Sequence, residues 1–167
     1  MSLPASWVAR LLVRELEGFE RELALIPDEG LIWQTAPGVT NTVGNLTLHV
    51  CGNLQYFVGR ILGGTAYVRD RGHEFSARDV PRHDLIAELA RTQDVVRTVV
   101  PVLTDEALGA PYPETVAGVT TTTGQLLTHL AAHLAFHLGQ AGYLRRMLTG
   151  DNVSAGPLPL TPLARHD

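Results

Sequence analysis

Apolar residues recur at helical spacing in four segments of the chain, and each segment ends at a recognisable stop. In the first, about residues 4–26, Trp7, Leu11, Leu12, Leu16, Phe19, Leu23 and Ile26 follow three- and four-residue steps, with Arg14, Glu17, Arg21 and Glu22 between them. Pro27-Asp28-Glu29-Gly30 closes it. The second, about 42–63, shows an apolar face of Leu46, Val50, Leu54, Phe57 and Ile61 and ends at Gly63-Gly64. It carries Gly44, Gly52 and Gly59, each of which disfavours a helix by about 1 kcal/mol relative to Ala; small residues there either let another helix or a ligand approach closely or reflect tolerance alone. The third, about 81–103, opens at Pro81 and runs through Leu85, Ile86, Leu89, Val95, Val96, Val99 and Val100, with Pro101 disturbing its last turn.

The fourth, about 123–149, is the most sharply marked. Thr122 and Gln125 form a capping-box signature, Arg145 and Arg146 suit the negative end of the helix dipole, and Gly150 supplies a stop. Between the second and third segments, TAYVRDRGHEFSARDV reads as too charged for a core element. TDEALGAPYPETVAGVT, before the fourth, holds no convincing strand, and residues 151–167 read as a proline-rich extended tail. Four long helices without strands predict an all-α, up-down-type four-helix bundle, built as one domain of 167 residues.

Composition narrows the functions available. A net charge of -4 with scattered arginines lacks the basic footprint of a nucleic-acid binder. No stretch approaches the roughly 20 apolar residues of a membrane span. The N-terminus carries acidic residues inside its periodic pattern and does not read as a signal peptide. A single cysteine, Cys51, fits a reducing compartment, and a cytoplasmic location is expected. Cys51 lies two residues from His49, about 200° around the helix, and reads as a small core residue.

The candidate chemistry lies in histidines. His129, His133 and His137 form one stripe on the fourth segment, each step advancing about 40° around the axis and about 6 Å along it. Two neighbours of the three can converge on one metal ion; the outer pair, about 12 Å apart, cannot readily do so. A third ligand must come from elsewhere, and His49, among Leu46, Leu48 and Val50, points inward on the second segment. Asn45, His49 and Asn53 make a polar stripe on that segment, which Tyr56 and Arg60 extend. The alternative to a ligand set is a buried polar ladder between helices. Asn45, Asn53, Tyr56, His129 and Gln140 are candidates for a pocket wall around such a centre. Arg69 and Arg71 are candidates for anchoring a substrate carboxylate, against the alternative of a solvated loop. His73, His83 and His166 read as exposed.

The string TVGNLTLHVCGN (42–53), followed by HLAAHLAFHLGQ (129–140), resembles the DinB-like family of metal-binding four-helix bundles. LIWQTAPG and YVRDRGHEF add to the likeness, which spans about residues 5–150. The resemblance implies one ligand from the second helix and two from the last long helix, just before Gly-Gln. That maps onto His49, His133 and His137, with Gly139-Gln140 following, and leaves His129 outside the set. It further implies a divalent metal, zinc first, with nickel, iron or manganese admissible. By the same resemblance the activity is that of a metal-dependent thiol S-transferase, acting on a small electrophile with a low-molecular-weight thiol as co-substrate. The alternatives are a metal-dependent hydrolase and a non-enzymatic, stress-linked binding or scaffold protein with a structural metal. A homodimer, paired through an exposed apolar helix face, is expected.

Overall fold

The computed structural model describes residues 5–156 and 159–163, and these form an all-helical bundle without strands. Helix α1 (Ala5–Ala24) buries Ala5, Ala9, Leu12, Leu16, Phe19 and Leu23, while Trp7 is 42% exposed, so its inward face is turned slightly from the one expected. Helix α2 (Val43–Leu54) starts at a complete capping box of Thr42 and Asn45 and is buried along nearly its whole length. It continues as a π-helical stretch, Gln55–Leu62, a widening of the backbone ladder that helical periodicity in the sequence cannot reveal.

The charged segment after Gly64 is not merely a loop. Asp70 caps a short helix, α3 (Arg71–Ser76), and that helix places Glu74 in the interior. Helix α4 (Arg82–Val99) begins one residue after Pro81; Pro101 then converts the expected last turn into a 3-10 turn, Val100–Val102. Ile86 on α4 faces outward. A further short helix, α5 (Asp105–Gly109), precedes α6 (Thr123–Thr149), which opens at the Thr122–Gln125 capping box and ends at Gly150 with φ 67°. Only a residue without Cβ takes that left-handed conformation freely.

α1 packs against α4 and α6, and α2 packs against the same two, so α1 and α2 stand across the diagonal of the bundle. Facing residues give the directions. Gly18 meets Leu138 and Glu22 meets Arg145, making α1 and α6 parallel. Gly59 meets Val95 and Gly63 meets Val99, making α2 and α4 parallel as well. Glu20 opposite Gln93 and Glu17 opposite Arg97 show α1 and α4 antiparallel. The up-down-type bundle therefore takes the order up, down, down, up.

That order has a consequence for function. Because α2 and α4 run the same way, residues 63–81 must climb back along the bundle, and midway they carry α3 past the middle of α2. The core between the long helices is filled by Leu12, Leu16, Phe19, Leu85, Leu89, Leu127 and Leu134, all essentially inaccessible. Burial of each such side chain stabilises the fold by roughly 1.5–3 kcal/mol.

Residues after Gly150 run against α1 and α6. Arg145 donates to the Val153 carbonyl, Arg21 to that of Ala155 and Arg14 to that of Pro159. His166 and the start of the first predicted helix at Pro4 lie outside the described residues. Among those described, no helix is long and apolar enough to cross a membrane.

Candidate metal centre

His49 sits in the middle of α2, 5% exposed, where the antiparallel α6 passes it with half-buried His133 and His137. Nε2 of His133 lies 3.0 Å from Nε2 of His137 and 3.4 Å from Nε2 of His49. One ring nitrogen from each of the three lies within 4.8 Å of the other two. The rings meet at steep angles, 87° between His133 and His137 and 89° between His49 and His137. They converge on a point rather than stacking.

The outward-facing nitrogens explain why the Nε2 atoms turn inward. Nδ1 of His49 lies 2.9 Å from a Glu74 carboxylate oxygen, and Nδ1 of His137 lies 2.8 Å from Oε1 of Gln140. Both partners are acceptors, so each Nδ1 carries the proton and each Nε2 presents a lone pair. Burial, then the neighbouring His137 and His49 rings, push His133 down to about 4. Burial lowers His137 as well, against the hydrogen bond to Gln140. Both are neutral at neutral pH, the form that binds metal.

This donor set fits a divalent cation. Two inward lone pairs face a third imidazole that can offer at most one proton between them, which leaves electron-rich nitrogens crowded together. The separations also suit nitrogens around one small ion with bonds of about 2.0–2.1 Å. Three imidazoles make an incomplete shell, as catalytic zinc sites have, and imidazole equally accepts nickel, iron or manganese.

Several neighbours build the surroundings. Phe75 lies 4.9 Å from the His49 ring and Phe136 lies 5.3 Å from that of His137. His129 is exposed, one turn back on α6, with its ring 5.9 Å from His133. Asn45 is fully buried, and its amide donates to the carbonyls of Glu74 and Ala77, so it ties α3 to α2. Asn53 is buried with its Oδ1 unpartnered. Tyr56, half-buried, donates to Glu114, whose hydrogen bond raises the phenol pKa.

Arg69 has partners that its place in a charged segment did not suggest. Its Nε and Nη2 reach the two oxygens of Glu74 at 2.6 and 2.9 Å, and its guanidinium lies 5.8 Å from the Phe57 ring centre. Arg71 is exposed and stands 5.5 Å over Phe75. His73 and His83 are exposed. Cys51 is buried beside Thr92, and burial pushes its thiol up to about 12.

Glu74 is the residue that pattern reading missed. Its neighbours in sequence are charged, and the stretch reads as too charged for a core element; yet Glu74 is 4% exposed. Burial works against its charge, but the hydrogen bonds from Arg69 and His49 outweigh it and hold the pKa below the usual carboxylate value. The available signal was the combination of an acid near a helix start with a preceding arginine, opposite a helix bearing Gly52.

Comparison with curated proteins and with solved structures returned no match. The family model of the DinB superfamily matches residues 11–141, which span α1 to most of α6 and include all three converging histidines, and the chain belongs to that superfamily.

Proposed function

We propose that the chain is a metal-dependent enzyme in which His49, His133 and His137 hold one divalent cation, zinc first among candidates, and that it transfers a low-molecular-weight thiol to a small electrophile. The observation that carries this reading is the convergence of three Nε2 atoms whose rings are each turned by, or crowded between, partners that leave the lone pairs inward. A cation held there would lower the pKa of a thiol reaching its open side, so that the nucleophile forms near neutral pH. Thiol transfer, rather than hydrolysis, rests on the family resemblance.

The chain's own residues supply orientation and shelter. Glu74 and Gln140 fix the two rings they touch. Phe75 and Phe136 flank the cluster with apolar surface. Beyond Gln140 opens a cavity of about 310 Å³ bordered by Val39, Leu46, Tyr143, Leu144 and Met147, at the small end of ligand pockets and apolar enough for the body of a small electrophile. A reducing cytoplasmic setting belongs to the same proposal, as does a homodimer. An exposed apolar helix face would carry the pairing, which light scattering tests.

The deciding experiment is elemental analysis of untagged protein, followed by a panel of electrophiles offered with several thiols in parallel. The expected result is about one metal per chain, lost on His133→Ala, and turnover that requires both metal and thiol. Full metal retention in His133→Ala would refute the site. Turnover without thiol would make the chain a hydrolase. A protein that melts when the metal is stripped, with no turnover, would make the metal structural and the role that of a binding or scaffold protein.

A further inference from the structure

The Glu74 carboxylate is sandwiched between an imidazole and a guanidinium. One side accepts from Nδ1 of His49 at 2.9 Å; the other receives the fork of Arg69 at 2.6 and 2.9 Å. Nη2 of Arg69 also comes within 3.5 Å of His49 Nδ1. Arginine has no acceptor atom, so it cannot take the His49 proton, and Glu74 is the acceptor within reach. The His49 tautomer is thereby fixed with Nε2 free and aimed at His133 and His137.

His49 and His137 are held unequally. The partner of His49 is a buried carboxylate held from its other side by Arg69, whereas that of His137 is the neutral amide of exposed Gln140. A carboxylate behind an imidazole raises the donor strength of the opposite nitrogen more than an amide does. A bare carboxylate in this position would be costly, and the bidentate Arg69 offsets that cost.

The geometry points to Glu74 as the positioning residue that sets how tightly His49 binds a divalent cation, with Arg69 as the clamp that holds the Glu74 carboxylate aligned on His49. Neither residue belongs to the three-histidine ligand set. This inference rests on the three-histidine metal reading and adds to it an anionic support for one ligand, brought in by the return segment between α2 and α4.

The test is a cobalt(II) titration of the full, metal-stripped chain, followed by visible absorption, which reports nitrogen ligation directly. Glu74→Gln, nearly isosteric but uncharged, is expected to raise the dissociation constant about 10- to 100-fold. Glu74→Asp should recover part of the loss. An ion pair that merely pins α3 would lower the melting temperature of Glu74→Gln and leave the cobalt affinity unchanged; that outcome overturns the inference while the metal site stands. Wild-type protein that takes up no cobalt overturns the metal reading itself, and this inference with it. Should Glu74→Gln fail to fold, the wild-type chain still decides. Side-chain nitrogen NMR must show His49 protonated at Nδ1, with its Nε2 resonance shifting on addition of zinc; a proton on Nε2 in the metal-free chain overturns the assignment.

Discussion

Gly52 lies flush against the Glu74 side chain: a Cβ at this position would come within 2.9 Å of the carboxyl carbon. The glycine disfavours α2 by about 1 kcal/mol in helix propensity, and the space it leaves is where the carboxylate reaches His49. Gly52→Ala is therefore expected to lose more than it gains. The added methyl must push Glu74 off His49, so overpacking of about 1–3 kcal/mol outweighs the better propensity. Thermal melts should show a lowered midpoint, and a zinc competition assay a severalfold weaker affinity. A variant more stable than wild type, with unchanged affinity, would mean that Glu74 can move without consequence.

Gln140 offers the milder counterpart. Its side chain is exposed, and its one contact with the centre is the 2.8 Å hydrogen bond to Nδ1 of His137. Gln140→Leu removes the acceptor and lets water replace it. Stability should change by no more than about 0.5 kcal/mol, as for most surface substitutions, and zinc affinity should fall by less than tenfold. A competition titration of this variant beside Glu74→Gln ranks the two supports. A larger loss for Gln140→Leu would invert the asymmetry between amide and carboxylate argued above.

How much of this was legible in the chain varies with the physics involved. The long helices were readable because their apolar spacing and caps act locally: Thr122 with Gln125 and the stop at Gly150 appear as expected. That two neighbouring histidines of α6 can meet follows from helical spacing, while the choice of His133 with His137 follows from the family resemblance and the inward position of His49 from its apolar neighbours. The partner of His49 was not readable, because a buried glutamate in a charged segment depends on the topology that returns residues 63–81 past α2. The π-helical stretch at Gln55–Leu62 and the outward turn of Trp7 likewise depend on packing rather than local propensity. Gly44 shows the same limit: Trp33 lies where its Cβ would be, a close approach that spacing alone cannot assign to a partner.

Acid should destabilise the metal-free chain in a defined window. His133 titrates at about 4 in the folded protein against an ordinary value of 6.5, and His137 is shifted the same way. Between those values the unfolded chain binds more protons than the folded one, so stability rises with pH. The contribution is fully present above about 6.5 and is lost as pH falls toward 4. Glu74, lowered from 4.5, adds a second loss below that value. Urea unfolding of metal-stripped protein should show a clearly lower midpoint at pH 5 than at pH 7.5, and His133→Leu should flatten the slope. An identical midpoint at both pH values in the wild type would contradict neutral, buried imidazoles at the centre.

A buried pair two turns beyond the histidines along α6 tests the scaffold that aligns that helix. Arg145 is fully buried, donates from Nε to Glu22 at 2.5 Å, and reaches the Val153 carbonyl with Nη2. Glu22 approaches where Gly142 leaves room, so α1 and α6 are joined by a charge pair under the last turns of α6. Arg145→Met keeps much of the volume but strands the Glu22 carboxylate in the interior, a loss of about 3–5 kcal/mol for a broken buried pair. Pairing it with Glu22→Gln removes the stranded charge and should recover a large part of the stability, which a double-mutant cycle in urea measures directly. Hydrogen exchange should rise around Val153 in both Arg145 variants, because the guanidinium that held that carbonyl is gone. The three histidines lie two or more turns away on α6, so zinc affinity of the refolded double variant should stay within a few-fold of wild type. A collapse of zinc binding there would show that the register of α6 at the metal centre is set from its C-terminal end.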